Sequence, residues 1–212
     1  LPETRQVHEA SAERKLARGL FGERRLAATL LIWVIFGLDL LITYLLLNWL
    51  PTLVVAKGFS ASDGASASFW MNMMSVVGAL LLGWSADRIG SRWLLTAVFL
   101  GLGGALWGLA AATGLSAVLA CSAAAGFAVV GGLYVLYALA PTYYPGPVRA
   151  AAAGAAIAVG RLGSIIGPVI AGDLRAAGFG PGEVLGFLAP AAVATAVCVW
   201  ALTTFCKPYR ED

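Results

Sequence analysis

Asp39 and Arg161 each sit in the middle of a long apolar run, and their chemistry depends on where that run lies. An ionisable group at the centre of a bilayer costs roughly 2.5 to 3.5 kcal/mol on insertion scales, so it marks a pathway, a proton relay or a buried pair. Asp39 is about 13 residues, roughly 20 Å, into its run; Arg161 is about 11 residues, roughly 17 Å, into its own, counted from the same side at about 1.5 Å per residue. At a shared depth two readings stand. One is a structural ion pair holding helices together. The other is a carboxylate that takes and releases a proton, beside an arginine that tunes it or meets an anionic substrate. Tyr44 and Asn48 are spaced to share one helix face near Asp39, and Tyr134 and Tyr137 lie on a later run. Their rings can stack on a flat molecule while Asn48 and the hydroxyls supply hydrogen bonds. Trp49 points further round, and with Tyr143 and Tyr144 it suits an interfacial aromatic belt.

The elements that carry these groups follow from composition. The chain is 60% hydrophobic and 12% charged, with mean hydropathy +0.85; a soluble domain carries about 25% charge. Six runs reach the roughly 20 residues that a spanning helix needs. They are expected at Leu26 to Leu50, Phe69 to Ser85, Trp93 to Ala112, Leu115 to Ala140, Ala150 to Ala177 and Val184 to Phe205. The runs are continuous rather than alternating, which excludes a barrel, and lipid leaves only helices otherwise. The class is an all-α integral membrane protein: a segment over 1–25, a six-helix domain over 26–206 and a short tail over 207–212. Within 1–25, the stretch from Glu9 to Arg25 suits either an amphipathic surface helix or a solvated linker.

Several function classes drop out. His8 is the single histidine and lies in the polar amino-terminal segment, so no histidine-based metal or nucleophile site is expected. Cys121, Cys198 and Cys206 lack CxxC spacing and read as small packing residues. No run combines His, Asp, Ser or Cys on facing helices as a membrane enzyme requires, and no catalytic residue, metal or cofactor is assigned. There is no phosphate-binding G-x-x-x-x-G-K-[ST] segment. The basic residues gather in the amino-terminal segment, at Arg88 and Arg92, at Arg149, and at Lys207 and Arg210, whereas the opposite side holds only Lys57 and Arg175. By the positive-inside rule both termini face the cytoplasm. The net charge of +3 therefore reflects topology, and no nucleic-acid partner is expected.

The chain also repeats itself. Leu50-Pro51-Thr52, expected to end the first helix, recurs as Ala140-Pro141-Thr142 at the end of the fourth, and Tyr44 recurs as Tyr134. Gly78 and Gly83 recur as Gly167 and Gly172, each pair followed by an acid and a base: Asp87 and Arg88, then Asp173 and Arg175. Matches in one register on corresponding helices imply two copies of three helices. Since three is odd, the copies run oppositely through the membrane, an arrangement found in secondary transporters. Gly163-xxx-Gly167 and Gly104-xxx-Gly108 suit close helix contacts.

Specific motifs then add a family. Gly83-Trp84-Ser85-Ala86-Asp87-Arg88-Ile89-Gly90-Ser91-Arg92 resembles the cytoplasmic signature loop of the major facilitator superfamily, with Ser91 in place of one basic residue. There Gly83 would let helices approach, Asp87 face a helix amino terminus, Arg88 pair across the domain interface, and Gly90 permit the turn. Leu1-Pro2-Glu3-Thr4 is similar to the segment that opens the central loop in that superfamily, which implies a carboxy-terminal six-helix half. Tyr44 to Leu53, Tyr144-Pro145 with Arg149, and Gly160-Arg161-Leu162-Gly163-Ser164 with Gly167-Pro168 resemble the aromatic acid:proton symporters. Ala151 to Ala156 departs from them, where more Gly and a Trp are usual, and Asp39 has no clear counterpart.

The resemblance implies alternating-access symport of a small organic or aromatic acid with protons, in a bacterial inner membrane, with Tyr44, Asn48, Tyr134, Tyr137 and Arg161 at the substrate. It implies an amino-terminal half as partner and lipid around both. A transporter of sugars or other metabolites, and a half-transporter that binds without transporting, remain as alternatives.

Overall fold

The computed structural model describes Gly22 and residues 25–209; the expected surface helix or linker, and the Leu1-Pro2-Glu3-Thr4 segment, lie almost entirely outside the described residues. The described chain forms six helices: α1 Leu26–Ala56, α2 Ala61–Ile89, α3 Ser91–Ala111, α4 Leu115–Leu139, α5 Gly146–Ala176 and α6 Pro181–Phe205, with a 3-10 turn Ala140–Tyr143 after α4. Each is long and apolar enough to cross a membrane, and no strand occurs among the described residues.

Two boundaries differ by more than four residues from those hydropathy suggested. α1 does not stop at Leu50 but runs through Pro51 to Ala56, and Pro168 and Pro190 likewise lie inside α5 and α6. In a membrane bundle, neighbouring helices and local adjustment accommodate the backbone group that proline frees. α2 begins eight residues before Phe69, because its first turns are polar yet well capped. Ser60 Oγ accepts from the Asp63 amide at 3.2 Å, while the Ser60 amide donates to Asp63 Oδ2 at 3.0 Å, a reciprocal box that satisfies two orphan donors. At the opposite junction Gly90 joins α2 to α3 at φ +87°, a conformation that favours glycine.

The packing obeys the repeat. α1 lies on α5 and α2 on α4, α3 packs on α6, and the α3–α4 contact is matched by α1–α6. Exchanging the first three helices for the last three maps α1–α5 onto α2–α4, α3–α4 onto α1–α6 and α3–α6 onto itself, the pseudo-two-fold relation that inverted triplets require. Small residues sit at the crossings. A Cβ on Gly78 of α2 would meet the Phe127 backbone of α4, and one on Gly167 of α5 would lie 2.5 Å from the Leu41 carbonyl oxygen of α1. A Cβ on Gly163 would run into the Gly37 carbonyl. Gly83 and Gly104 have nothing within 4 Å within this chain, so neither makes the close contact its motif suggested, whereas Gly108 sits under Cys121 Sγ. Gly163→Val should therefore cost about 3 kcal/mol, the upper end for overpacking, and Gly104→Val almost nothing. Thermal unfolding of the two variants in detergent checks this, and equal midpoints would refute the crossing assignment.

Lys57, just past α1, donates from Nζ to the Leu109 and Ala110 carbonyls at 2.6 and 2.9 Å. It thereby satisfies two of the orphan acceptors at the end of α3 and sets a cation on the negative end of that helix. Tyr143 and Tyr144 are buried rather than belt residues: the Tyr144 hydroxyl lies 3.0 Å from Thr29 Oγ1 of α1. The 3-10 turn folds them back under α1, where the backbone geometry outweighs their position at a helix end.

Candidate functional site

One face of the bundle, formed by α1, α4 and α5, collects the groups singled out above. α1 buries Ile42, Leu45 and Leu46 while Asn48 stays exposed and Tyr44 half-buried. On α5, Gly160, Gly163 and Gly167 turn inward and pull the helix against α1, which leaves Arg161 on the outer side. The Arg161 guanidinium donates from Nη1 to Tyr44 Oη at 2.8 Å, and its central carbon lies 6.0 Å from the centre of the Tyr44 ring. Guanidinium carries five N–H donors, so Tyr44 fixes the group while leaving most of its donors available. Asn48 turns its amide back to the Tyr44 carbonyl at 2.7 Å.

Asp39 is not the partner of Arg161. It is 0% exposed, and neither carboxylate oxygen has a hydrogen-bond partner among the described residues. α1 and α5 are neighbours, but depth alone does not make a pair. Asp39 and Tyr44 are five residues apart, about 140° around the helix at about 100° per residue, so when Tyr44 faces Arg161, Asp39 faces the bundle interior. An isolated buried carboxyl is expensive when charged, and no hydrogen bond among the described residues offsets that cost at Asp39.

Tyr137 of α4 ties the two regions together. It lies within electrostatic reach of Arg161, Asp39, Tyr134 and Tyr44. Its ring is 5.5 Å from that of Phe36, and 6.1 Å from that of Tyr134 in an edge-on arrangement. Tyr134 is 55% exposed. Beside Tyr137 opens a cleft of about 190 Å³ lined by Phe36, Tyr137, Ala140, Ala153 and Ile157. Phe36, Ala153 and Ile157 were not picked out from the sequence. Ala153 and Ile157 lie eight and four residues before Arg161 and so continue its stripe on α5, a signal the sequence did hold. The wall thus offers an anchored cation, edge-on aromatic rings and an apolar slot, which suits a flat molecule with a carboxylate at one end.

The signature loop is built differently from that site. Asp87 and Arg88 are exposed and form no ion pair among the described residues; the Arg88 guanidinium instead lies 4.0 Å from the centre of the Trp84 ring. The interlock expected of Asp87 and Arg88 is therefore not made among the described residues.

No protein-family model matches the chain. Among curated proteins it is 36% identical over 185 residues to the 3-(3-hydroxy-phenyl)propionate transporter of Escherichia coli K12, covering 87% of this chain and 46% of that protein. It is 34% identical over 198 residues to the gallate transporter of Pseudomonas putida, covering 92% and 44%. It is 33% identical over 172 residues to a 4-hydroxybenzoate transporter of Pseudomonas aeruginosa, covering 80% and 38%. The chain thus spans less than half the length of these relatives, all of which carry transporter rather than enzyme names.

Proposed function

Because the chain belongs to the aromatic acid transporter family of the major facilitator superfamily, we propose that it acts as the carboxy-terminal half of a secondary transporter. That transporter carries a small aromatic acid together with protons by alternating access. One observation carries the reading: Arg161 stands exposed in the middle of a spanning helix, oriented by Tyr44. A guanidinium left facing lipid there would cost roughly 2.5 to 3.5 kcal/mol. The face it occupies is therefore one wall of a water-filled cavity, closed on its far side by an amino-terminal six-helix half, with lipid around the outer helices. Loops richer in arginine and lysine on the side of both termini support a cytoplasmic placement of those termini in a bacterial inner membrane.

In this reading Arg161 takes the substrate carboxylate, the edges and faces of Tyr134 and Tyr137 grip its ring, and Asn48 offers its amide oxygen to a ring hydroxyl. Tyr44 positions Arg161. Asp39 carries the proton whose binding and release accompany the cycle. The exposed Asp87 and Arg88 make their interlock with the other half.

Vesicles containing the intact transporter test this directly. Labelled hydroxyphenylpropionate or gallate should accumulate when the interior is made alkaline, and accumulation should collapse when a protonophore removes the gradient. Uptake indifferent to the gradient would overturn proton coupling, and no uptake of any aromatic acid would overturn the substrate class.

A further inference from the structure

At the junction of α2 and α3, Arg92 has no carboxylate partner among the described residues. Arg92, the second residue of α3, has its guanidinium carbon 5.1 Å from the centre of the Trp93 ring and 5.7 Å from that of Trp200 on α6. Two indoles thus flank one guanidinium. Its Nε is buried without a hydrogen-bond partner, and no carboxylate pairs with it among the described residues. A buried N–H left unmatched is costly, and the two Nη groups, which are not buried and make no hydrogen bond among the described residues, are where an outside acceptor can reach the guanidinium.

The surroundings say where the acceptor comes from. α3 and α6 pack on each other with their outer sides bare. Trp93 is 64% and Phe205 74% exposed, and the Trp200 and Phe205 rings meet edge-on at 5.8 Å. Indoles at a helix end sit at the level of lipid headgroups, where one edge is wet and the body apolar. At that level the abundant acceptor is a phosphodiester, which a guanidinium can meet with two parallel N–H bonds.

We propose that Arg92, clasped by Trp93 and Trp200, binds the phosphate of an anionic phospholipid on the outer side of α3 and α6. The headgroup is net anionic, of the phosphatidylglycerol type. Among the described residues no carboxylate stands at the clasp to answer the ammonium of phosphatidylethanolamine. Basic pockets between spanning helices hold anionic headgroups by the same chemistry. The site needs only that the bundle is in a membrane. The leaflet, cytoplasmic, rests on the orientation proposed above, and the site's occupancy does not depend on what is transported.

Native mass spectrometry of the intact transporter, delipidated and titrated with single lipids, tests the site. Phosphatidylglycerol should be retained more strongly than phosphatidylethanolamine. Arg92→Gln should weaken phosphatidylglycerol retention about fivefold, the effect of one basic residue at an anionic surface. Trp200→Leu should give a smaller loss, and Arg88→Gln none, since Arg88 lies over Trp84 instead. If Arg92→Gln does not fold, Arg92→Lys keeps the charge but loses the planar clasp, and it should fall between wild type and the expected fivefold loss. Equal retention of the two lipids, or unchanged retention in both Arg92 variants, would overturn the site. Displacement of the lipid by an equal concentration of inorganic phosphate would overturn the lipid and assign a soluble anion.

Discussion

Arg161→Gln in the intact transporter is expected to lower uptake of an aromatic acid about 100-fold, with the loss appearing chiefly as weaker substrate binding. Truncating one partner of a desolvated charge pair costs about 2 to 5 kcal/mol, and about 2.7 kcal/mol is a factor of 100. Glutamine keeps much of the length and some hydrogen bonding but neither the charge nor the planar fork. Arg161→Lys restores the charge as a single point, so it should recover part of the affinity and little of the discrimination between substrates. Tyr44→Phe probes the same interaction from the other side. It leaves Arg161 charged but releases it from the 2.8 Å bond to the Tyr44 hydroxyl, and a hydrogen bond to a charged group contributes about 1.5 to 3 kcal/mol. Apparent affinity should fall about tenfold, while maximal transport stays near wild type. Binding measured by competition and uptake measured at saturating substrate separate the two. Normal affinity in Arg161→Gln would remove it from the site.

The outline of this molecule was legible from two kinds of signal. Six long apolar runs specify six spanning helices, and glycines recurring 89 residues apart mark corresponding helices of two triplets. Gly78 on Phe127 and Gly167 on Leu41 are the same crossing made twice. Helix ends were less legible, since hydropathy reports the surrounding solvent and not the backbone. α2 starts in a polar stretch that Ser60 and Asp63 cap, and α1 continues through Pro51. The site was half legible. Position along a helix can be counted from its end, and Asp39 and Arg161 do lie near the middle of α1 and α5. Azimuth depends on which neighbour a helix rolls against, and that is a tertiary fact. The glycines of α5 roll it so that Arg161 meets Tyr44, and Asp39 is left facing inward. Tyr143 and Tyr144 misled for a related reason: aromatic residues at a helix end suggest a belt, but the 3-10 turn carries these two into the core.

Asp39 gives the second large effect, and its two obvious substitutions should move function and stability in opposite directions. Asp39→Asn has nearly the same shape but cannot take or release a proton. In the proposed cycle it should abolish accumulation against a gradient, leaving exchange of internal for external substrate intact, because exchange requires the substrate site to alternate without net proton movement. Wild-type accumulation should vary with pH, and residual transport by the Asn variant should not. Asp39→Leu removes a carboxyl with no hydrogen-bond partner among the described residues and puts a side chain of suitable polarity among Phe36, Leu40 and their neighbours. Replacing unsatisfied buried polar groups by apolar ones is often neutral or stabilising, by about 1 to 3 kcal/mol, so its thermal midpoint in detergent should rise even as accumulation is lost. A gain in stability with loss of coupling is the pattern of a residue retained for function at the expense of packing. If Asp39→Leu is instead markedly less stable than wild type, the carboxyl is holding the bundle together. If Asp39→Asn still accumulates substrate, the coupling proton binds elsewhere, and a carboxylate in the other half becomes the group to test.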